Sequence, residues 1–275
     1  MASYAEALKG ILTKAERAKL PKSFDIVGDI LIFADFPAEL ESMSAQIASA
    51  ILKTFPNIKV VCRKTKKYSG EFRTPTLRIL GGKRRKETIH KENGVRLKLH
   101  VEKVYFSPRL STERDRISKL VKPGESILVM FSGCGAYPIN LAKNTKAKQI
   151  LGVEINPIAH KYALENIELN KATNVKLYLG DVRLVLPTIK DTFDRVLMPL
   201  PKTGSKFLDV AIPKVKKGGT LHFYDFLQED EFHLASEKIL STCKKLGRVT
   251  DILRTVKCGQ YGPGKFRVCV DVKIK

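Results

Sequence analysis

Residues 126–135, Ser-Ile-Leu-Val-Met-Phe-Ser-Gly-Cys-Gly, contain the pattern that decides the fold. An apolar run ends at Phe131 and passes directly into two glycines, Gly133 and Gly135, which precede a segment with helical periodicity. Glycine permits a tight turn, and it lets the backbone come close to a ligand at the N-terminus of a helix. The stretch therefore predicts a buried strand, a ligand-binding turn and a helix, in that order.

The same strand-then-helix order repeats along the rest of the chain. Apolar runs of strand length occur at 126–131, 150–155, 176–180, 194–198 and 219–224. Helical periodicity fills intervals at 137–146, 157–171, 205–216 and 229–246. The alternation predicts a mostly parallel sheet with helices on both faces. Two further β-like runs, at 248–256 and 266–274, add an antiparallel pair. This α/β architecture is the one that most S-adenosylmethionine-dependent methyltransferases use.

Two acidic residues follow later strands at positions that suit a nucleoside. Glu154 lies 21 residues beyond Gly133, where a carboxylate can accept hydrogen bonds from both ribose hydroxyls. Asp181 follows Gly180 after the third strand, where a carboxylate can accept from an adenine amino group. Pro138 stands where a dinucleotide site needs a third glycine, so we predict S-adenosylmethionine as the cofactor. The alternative for each acid is that it only caps a helix.

The first hundred residues have no such alternation. Helical periodicity occurs at 3–18, where Tyr4 is the first apolar position, and at 37–55. Residues 25–35 are typical of two short strands joined by a turn at Gly28-Asp29. Further β-like runs occur at 58–62, 86–90 and 95–104. We predict a small α+β domain over residues 1–104, followed by the Rossmann-like catalytic domain over residues 105–275.

Half of the net positive charge is concentrated in this first part. The chain carries 50 Lys and Arg against 28 Asp and Glu, a net charge of +22, and residues 59–103 alone hold 15 basic and four acidic residues. The clusters Arg63-Lys64-Lys66-Lys67 and Lys83-Arg84-Arg85-Lys86, which we predict to lie on loops, suit phosphate contact. Only Tyr68 and Phe72 are aromatic here, so a folded RNA is favoured over a stacked single strand. A basic surface that only aids solubility is the alternative.

Composition also excludes several classes of protein. The five cysteines have neither zinc-ligand spacing nor an even number, so we expect reduced thiols, no metal and no disulfide framework. No apolar run approaches the roughly 18 residues that span a bilayer, and the N-terminus has no secretory signal pattern. We expect a cytoplasmic monomer that binds neither membrane nor DNA.

The fourth predicted strand ends in Met198-Pro199-Leu200-Pro201, a rigid turn whose carbonyl groups face the ligand crevice. Here the chain resembles the archaeal and eukaryotic-type tRNA (guanine-37-N1)-methyltransferases, which are related to the aminocarboxypropyltransferases of wybutosine synthesis. The matching segments are Gly70–Arg73, Thr88–Gly94, Val104–Leu110 with Glu113-Arg114, Met130–Gly133, Glu154–Pro157, Gly180–Arg183 and Tyr261–Pro263.

The resemblance implies a role for each matching residue. Glu113 would be the general base that removes the N1 proton of guanine, and Arg73 would stabilise the negative charge on O6. The implied substrate-binding residues are Tyr105 and Arg109, and the rigid turn after the fourth strand predicts Pro199 and Pro201 beside them. The implied cofactor-binding residues are Arg114, Glu154, Ile155, Asp181 and Val182. The glycine turn and the proline turn add four predicted cofactor-binding residues, Phe131, Gly133, Gly135 and Pro199. The implied partner is tRNA, held at its anticodon stem-loop through the basic residues 59–103.

Three departures from the family pattern stand out. Pro199 replaces an asparagine whose amide is expected to contact cofactor and base, Val129 stands where aspartate is common, and Ala136-Tyr137 replaces Pro-Phe. The chain also begins at the family's middle domain, so we expect the N-terminal module that reads the tRNA elbow to be absent.

Two rival functions remain open at this stage. An aminocarboxypropyltransferase or another enzyme that modifies a wyosine precursor would share the fold and cofactor, although Phe106–Leu110 and Leu200-Pro201 favour methyl transfer. A tRNA-binding protein with impaired catalysis would explain Pro199 and Val129.

Overall fold

Two separately packed units make up the chain in the computed structural model, which describes residues 4–21 and 24–275. The first unit comprises residues up to 91 together with 96–108, and the second comprises 92–95 together with 109–275. The side chains at positions 4, 5, 67 and 68 are outside the description, and with them the predictions made for Tyr4, Lys67 and Tyr68. None of the described helices is long and apolar enough to cross a membrane.

The first unit combines a four-stranded sheet, a separate hairpin and short helices. Its strands are β1 (Phe24–Val27), β2 (Ile30–Phe33), β3 (Val60–Ser69), β4 (Thr74–Gly82), β5 (Glu87–Glu92) and β6 (Val95–His100). Its α-helices are α1 (Tyr4–Ala7), α2 (Lys14–Lys19) and α3 (Ser44–Thr54). The sheet order is β1-β2-β3-β4, and β5 pairs with β6 alone. Val27 lies opposite Ile30, which confirms the hairpin predicted at Gly28-Asp29.

The N-terminal helix is interrupted, so the prediction of one helix over residues 3–18 is wrong. Gly10 has φ +85°, a left-handed conformation that ends the first helical segment. Thr13 then starts α2 with a capping box, because its hydroxyl accepts from the Glu16 amide while the Glu16 carboxylate accepts from the Thr13 amide.

The second unit has the predicted alternation. Its strands are β7 (Ser126–Met130), β8 (Gln149–Glu154), β9 (Val175–Leu179), β10 (Phe193–Met198), β11 (Val215–Gln228), β12 (Thr250–Gly262) and β13 (Lys265–Ile274). Its α-helices are α4 (Ser111–Leu120), α5 (Ala136–Asn144), α6 (Pro157–Asn170), α7 (Val182–Thr188), α8 (Leu208–Ala211) and α9 (Phe232–Lys245). The sheet order is β12-β13-β11-β10-β7-β8-β9. Strands β7 to β11 are parallel, while β13 is antiparallel to both neighbours, which confirms the α/β, Rossmann-like prediction.

Helices bury both faces of this sheet. On one face, side chains of α7, α8 and α9 pack with Met130, Met198 and Phe223. On the other face, Ile117 of α4 and Tyr137 of α5 pack with Val129, Leu197 and Tyr224. Val129, one of the departures from the family pattern, is fully buried in this apolar cluster, so it serves packing.

Some elements differ from the sequence prediction, and proline explains most of them. Strand β4 was not predicted because Pro75 lies at its second position, yet an edge strand tolerates proline. Helix α7 was not predicted either, and it contains Pro187 next to its last residue. The helix predicted over 205–216 is broken into the short helix α8 between 3-10 turns at Gly204–Phe207 and Ile212–Lys214, where Pro213 removes a backbone donor.

Candidate active site

The turn after β7 has an unusual backbone. Phe131, Gly133 and Gly135 have φ of +59°, +58° and +84°. A Cβ atom on Gly135 would lie 2.8 Å from Ile139 Cδ1 and 3.3 Å from Ala163 Cβ, so a side chain there would displace its neighbours and would also have to adopt a left-handed φ. Phe131 adopts a left-handed backbone conformation although it is not a glycine, and such strained positions are common at functional sites. Its ring packs edge-on against the ring of Phe207.

Glu154 fastens the end of β8 to this turn. Its carboxylate accepts from the Gly133 amide (2.7 Å) and the Asn156 amide (2.8 Å), and the residue is only 8% exposed. Burial raises the pKa of Glu154, while hydrogen bonds from the amides of Asn156, Gly133 and Ile155 oppose that rise. The two residues that the sequence predicted to share one ligand, Gly133 and Glu154, are therefore in direct contact.

An unsatisfied hydroxyl lies in the same turn. Ser132 Oγ is buried and has no hydrogen-bond partner among the described residues. A buried polar atom without a partner is unfavourable unless a ligand or water satisfies it. The Ser132 hydroxyl, the glycine backbone and the Glu154 carboxylate together offer hydrogen-bond donors and acceptors that fit a ligand with ribose hydroxyls.

Asp181 and Val182 begin α7 after β9. The Asp181 carboxylate accepts from the Arg183 amide (2.8 Å), so this residue does cap a helix, as the alternative interpretation expected. Val182 is buried in the core beneath it. Both residues lie at the carboxyl edge of the sheet, as do Gly133 and Glu154, which is the edge where open α/β sheets bind ligands.

The proline turn follows β10 at this edge. Leu200 N–H donates to the Met198 carbonyl (2.7 Å), and Gly204 N–H donates to the Leu200 carbonyl (2.8 Å), so the turn is tightly closed. Pro201 is buried and Pro199 is half-buried. Pro199 contributes neither a backbone N–H nor a side-chain amide at this place.

Glu113 is buried on α4 and held by three donors. Arg116 donates to both of its carboxylate oxygens (2.7 Å each), and the Tyr224 hydroxyl donates to Oε1 (2.6 Å). The Tyr137 and Tyr224 hydroxyls are 3.2 Å apart, so the tyrosine that replaces the family phenylalanine extends this group. The sequence analysis missed both partners. Arg116 lies three residues after Glu113 on α4, a spacing that could have indicated the ion pair, whereas no local pattern links Tyr224 to Glu113.

A buried ionic network continues from Arg116 through the sheet. Asp271 accepts from Arg116 (2.7 Å), Arg254 (2.7 Å) and His222 (2.6 Å). Burial opposes ionisation of Asp271, but the His222 and Arg116 hydrogen bonds hold its pKa well below the ordinary value. His222 Nε2 is 2.6 Å from Arg195, and burial lowers the pKa of His222, so we assign a neutral ring that donates from Nδ1.

Potential metal ligands also meet in this network. The ligand atoms of His222, Cys269 and Asp271 lie within 4.8 Å of one another. Guanidinium groups already bind His222 and Asp271, so positive charge is supplied by arginine and the arrangement is that of an ion-pair network.

Arg114 forms a second buried ion pair. Its guanidinium is bonded to both carboxylate oxygens of Glu92 (Nη2 to Oε2, 2.6 Å), and both side chains are 3% exposed. Arg114 Cζ also lies 5.9 Å from the Tyr137 ring centroid. The Arg114 side chain is therefore already paired with Glu92, and its contact with the cofactor stays a prediction.

Three other predicted residues, Arg73, Tyr105 and Arg109, precede helix α4 in the chain. Arg73 has φ +50° in the turn between β3 and β4, and Tyr105 follows β6; both belong to the first unit. Arg109 belongs to the second unit, where it is exposed in the 3-10 turn Pro108–Leu110.

The basic segment of the first unit is partly neutralised. Arg85 is bonded to Asp29 (Nη1 to Oδ1, 3.0 Å) and Lys86 to Glu102 (2.7 Å), whereas Lys83 and Arg84 are exposed and form no ion pair within the described residues. The cluster from Arg63 to Lys67 lies on strand β3, so its prediction as a loop is wrong. An open groove of about 740 Å³ in this unit is lined by Arg85, Lys91, Lys98 and two exposed isoleucines, Ile26 and Ile89.

Comparison with known proteins identifies relatives over nearly the whole chain. The TRM5/TYW2 methyltransferase domain matches residues 88–252, and the TYW2 N-terminal domain matches residues 4–85. The chain is 42% identical over 259 residues to the tRNA (guanine(37)-N(1))-methyltransferase Trm5b of Pyrococcus abyssi, covering 94% of this chain and 76% of that protein. It is 37% identical over 257 residues to the tRNA 4-demethylwyosine(37)-methyltransferase Taw21 of Saccharolobus solfataricus, covering 92% of this chain and 94% of that protein.

Solved structures agree with this relationship. The crystal structure of Trm5b from Pyrococcus abyssi has a TM-score of 0.89 and 38% identity, covering 100% of this chain and 82% of that one. The complex of aTrm5 with tRNALeu has a TM-score of 0.86 and 33% identity, covering 100% and 78%. The complex of Pyrococcus horikoshii TYW2 with MeSAdo has a TM-score of 0.82 and 28% identity, covering 98% and 97%. The chain belongs to the TRM5/TYW2 methyltransferase family.

Proposed function

We propose that this protein transfers a methyl group from S-adenosylmethionine to N1 of guanosine 37 in tRNA. One observation carries the proposal: the Gly133 amide in the turn after β7 donates to the Glu154 carboxylate at the end of β8. This contact lies at the carboxyl edge of the sheet, where the turn containing Pro199 and Pro201 also follows β10. The similarity to Trm5b of Pyrococcus abyssi supports this choice of base and atom.

The cofactor fits the residues at this edge. We assign its ribose to Glu154 and its adenine to Asp181, with Ile155 and Val182 beside them, because these carboxylates end adjacent parallel strands. The rest of the cofactor would contact the main chain of Gly133 and Gly135, the ring of Phe131, and Pro199. Arg114, held by its ion pair with Glu92, would also contact the cofactor. When bound, the cofactor supplies an electrophilic methyl group, while the protein supplies binding and orientation.

Glu113 is the proposed general base. Guanine N1 carries a proton that must leave before its lone pair can attack, and a carboxylate within hydrogen-bond reach can take that proton. Arg116 and Tyr224 hold the Glu113 carboxylate in one orientation, which favours a base that is in position before the substrate arrives. The negative charge then develops on O6, where we assign Arg73 as the stabilising cation. Tyr105, Arg109 and Pro201 would shape the site around the base.

The basic residues between 59 and 103 are the proposed tRNA contact. Lys83 and Arg84 are the strongest candidates within the cluster from 83 to 86, because Arg85 and Lys86 are committed to acids of their own unit. We also propose a reducing, cytoplasmic setting, supported by five free cysteines of which only Cys258 is not buried.

A double-label experiment tests the proposed reaction. The protein is incubated with tRNA transcript and cofactor labelled either in the methyl group or in the carboxyl group. Label retained in tRNA only from the methyl group is expected. Label retained from the carboxyl group would instead establish aminocarboxypropyl transfer. Calorimetric titration with S-adenosylhomocysteine distinguishes the proposed enzyme from an inactive tRNA-binding protein. The enzyme should give a heat of binding, and the inactive protein would give none.

Pro199 favours a second candidate substrate, 4-demethylwyosine at the same position of tRNA. The side-chain amide expected to recognise guanine is missing at Pro199, and the relative Taw21 of Saccharolobus solfataricus, named for methylation of 4-demethylwyosine, spans nearly the same length. Parallel assays on tRNA carrying guanosine 37 and tRNA carrying 4-demethylwyosine 37 decide between them. If kcat/KM is larger for the tRNA that carries 4-demethylwyosine, then 4-demethylwyosine and not guanosine is the main substrate.

A further inference from the structure

An exposed aromatic stack lies on the same face of the sheet as the proposed base. The rings of Phe226 on β11 and Tyr261 near the end of β12 are in contact, with centroids 4.0 Å apart and planes tilted by 30°. Arg267 Cζ also lies 5.1 Å from the Phe226 centroid. Tyr261 remains 59% exposed, so the stack buries one aromatic surface and leaves another open to solvent.

The register of the strands relates this stack to Glu113. Tyr224, whose hydroxyl binds Glu113, lies two residues before Phe226 on β11, and side chains two apart on a strand point to the same face. Tyr224 pairs with Cys269 and Phe226 pairs with Arg267, so Arg267 shares that face. Two residues span about 7 Å along a strand, in this case toward the carboxyl edge of the sheet.

The hairpin that carries Tyr261 is basic. Residues 252–270 contain Arg254, Lys257, Lys265 and Arg267 and no acidic residue, and Arg254 is bonded to Asp271 just beyond this range. Lys257 is paired with Glu229, an acid of the neighbouring 3-10 turn, and lies 4.7 Å from the Phe266 ring. The hairpin end is held by the Gln260 side chain, which donates to the Gly262 carbonyl (3.1 Å).

We propose that Tyr261, supported by Phe226, is a stacking platform for an unpaired RNA base next to the purine that is modified; this inference rests on the proposed tRNA substrate. An aromatic ring stacks with any base, and a cation beside it satisfies the adjoining phosphate. Phe226 lies two residues, about 7 Å of strand, beyond Tyr224, whose hydroxyl binds Glu113, so a base stacked on this platform would belong to a nucleotide near the modified purine in a loop whose bases are splayed apart.

The test compares three variants of the full chain. Tyr261→Ala removes the platform, Tyr261→Phe keeps it, and Leu253→Ala removes another exposed apolar side chain from the same strand, β12, as the matched control. Tyr261→Ala is expected to raise the KM for tRNA about tenfold or more with little change in kcat. Tyr261→Phe and Leu253→Ala should stay within about twofold of the wild type. Unchanged KM in Tyr261→Ala, or equal loss in Tyr261→Phe, would overturn the proposal.

A binding measurement separates this inference from the reaction itself. Anticodon stem-loop RNAs carry 2-aminopurine at the nucleotide before or after the target purine, and fluorescence is recorded during titration with each protein. Quenching at one of these nucleotides that is lost in Tyr261→Ala supports stacking even if no methyl group is transferred. Equal quenching by wild type and Tyr261→Ala, or no quenching at either nucleotide, contradicts it. Failure of methyl transfer alone would count only against the proposed function.

Discussion

At the scale of single residues, the chemistry depends on how Glu113 is held. A buried carboxylate is stable only when donors satisfy it, and here Arg116 and Tyr224 do so at 2.6–2.7 Å. The guanidinium of Arg116 is itself fixed by Asp271 on β13. The orientation of the proposed base is thus set by strands at the far end of the sequence.

Replacing Glu113 with glutamine removes the basic oxygen but keeps the shape of the side chain. We expect Glu113→Gln to lower kcat roughly a hundredfold or more, because proton removal from N1 loses its acceptor. Calorimetry should find the affinity for S-adenosylhomocysteine within about twofold of the wild type. Asp115→Asn on the same helix, where the aspartate forms a surface pair with Lys119, is the control and should keep wild-type turnover. Wild-type turnover by Glu113→Gln would remove Glu113 from the proton transfer.

Local patterns predicted part of this site and could not predict the remainder. Gly133 follows β7 and Glu154 ends β8, the next strand along the chain, so the alternation places both residues at the same edge of the sheet. Tyr224 is 111 positions from Glu113, and Asp271 is 155 positions from Arg116. The first pair depends on the packing of α4 against β11, and the second depends on the insertion of β13 beside β11, and periodicity reveals neither.

At the scale of elements, the turn between β7 and α5 must bring its backbone close to α6. We expect Gly135→Ala to destabilise the second unit by about 2 kcal/mol or more, because the new methyl group meets Ile139 and Ala163 while φ stays at +84°. Urea denaturation measures the loss. Gly124→Ala is the matched control, since Gly124 has φ +81° with open space around it. Equal losses in both variants would show that close approach at Gly135 is unimportant.

The loop between β4 and β5 is the element that we expect to contact phosphates. Lys83→Ala with Arg84→Ala should weaken tRNA binding and reduce the slope of log K against log salt by about 1.5 to 2, because two counterion-releasing contacts are lost. Filter binding at several salt concentrations measures this slope. Lys244→Ala with Lys245→Ala removes the same charge from exposed positions of α9 and should keep the wild-type slope. An unchanged slope in the first double variant would exclude this loop from the interface.

Elements were predictable where a single pattern dominates. The parallel strands of the second unit are apolar runs bounded by turns, and their parallel direction follows from the βα repeat. Strand β4 and helix α7 were not predicted, because each contains a proline. Pro75 is tolerated because β4 is an edge strand, and Pro187 is tolerated because it lies at the end of α7. The sequence between residues 3 and 18 does contain a helix-capping signal, Thr13 with Glu16. The helical periodicity continues across Gly10, so it does not indicate that one helix ends there and a second begins.

At the scale of the whole molecule, buried histidine makes stability depend on pH. Burial lowers the pKa of His222, so the ring stays neutral in the folded chain while the unfolded chain binds a proton below about pH 6.5. This contribution to stability is present above that pH and is lost as the pH falls. The pKa values of His100 and His160 are lowered by burial as well, which adds to the same trend.

Replacing His222 with glutamine should flatten this dependence. Glutamine can donate to Asp271 and accept from Arg195, but it does not titrate. Urea unfolding between pH 7 and pH 5 should show a smaller loss of free energy in His222→Gln, by up to about 1.4 kcal/mol per pH unit below 6.5. His233→Gln at an exposed position is the control. Parallel pH dependence of wild type and His222→Gln would contradict a neutral buried His222.

The measurement that tests the central claim most directly is nucleoside mass spectrometry of tRNA after incubation with the protein and S-adenosylmethionine. An unmodified transcript with guanosine at position 37 should yield 1-methylguanosine at that position, and a transcript with adenosine there should yield none. A methyl group found at another atom or position of the guanosine 37 transcript, or no methylation although the protein binds S-adenosylhomocysteine, would contradict the account.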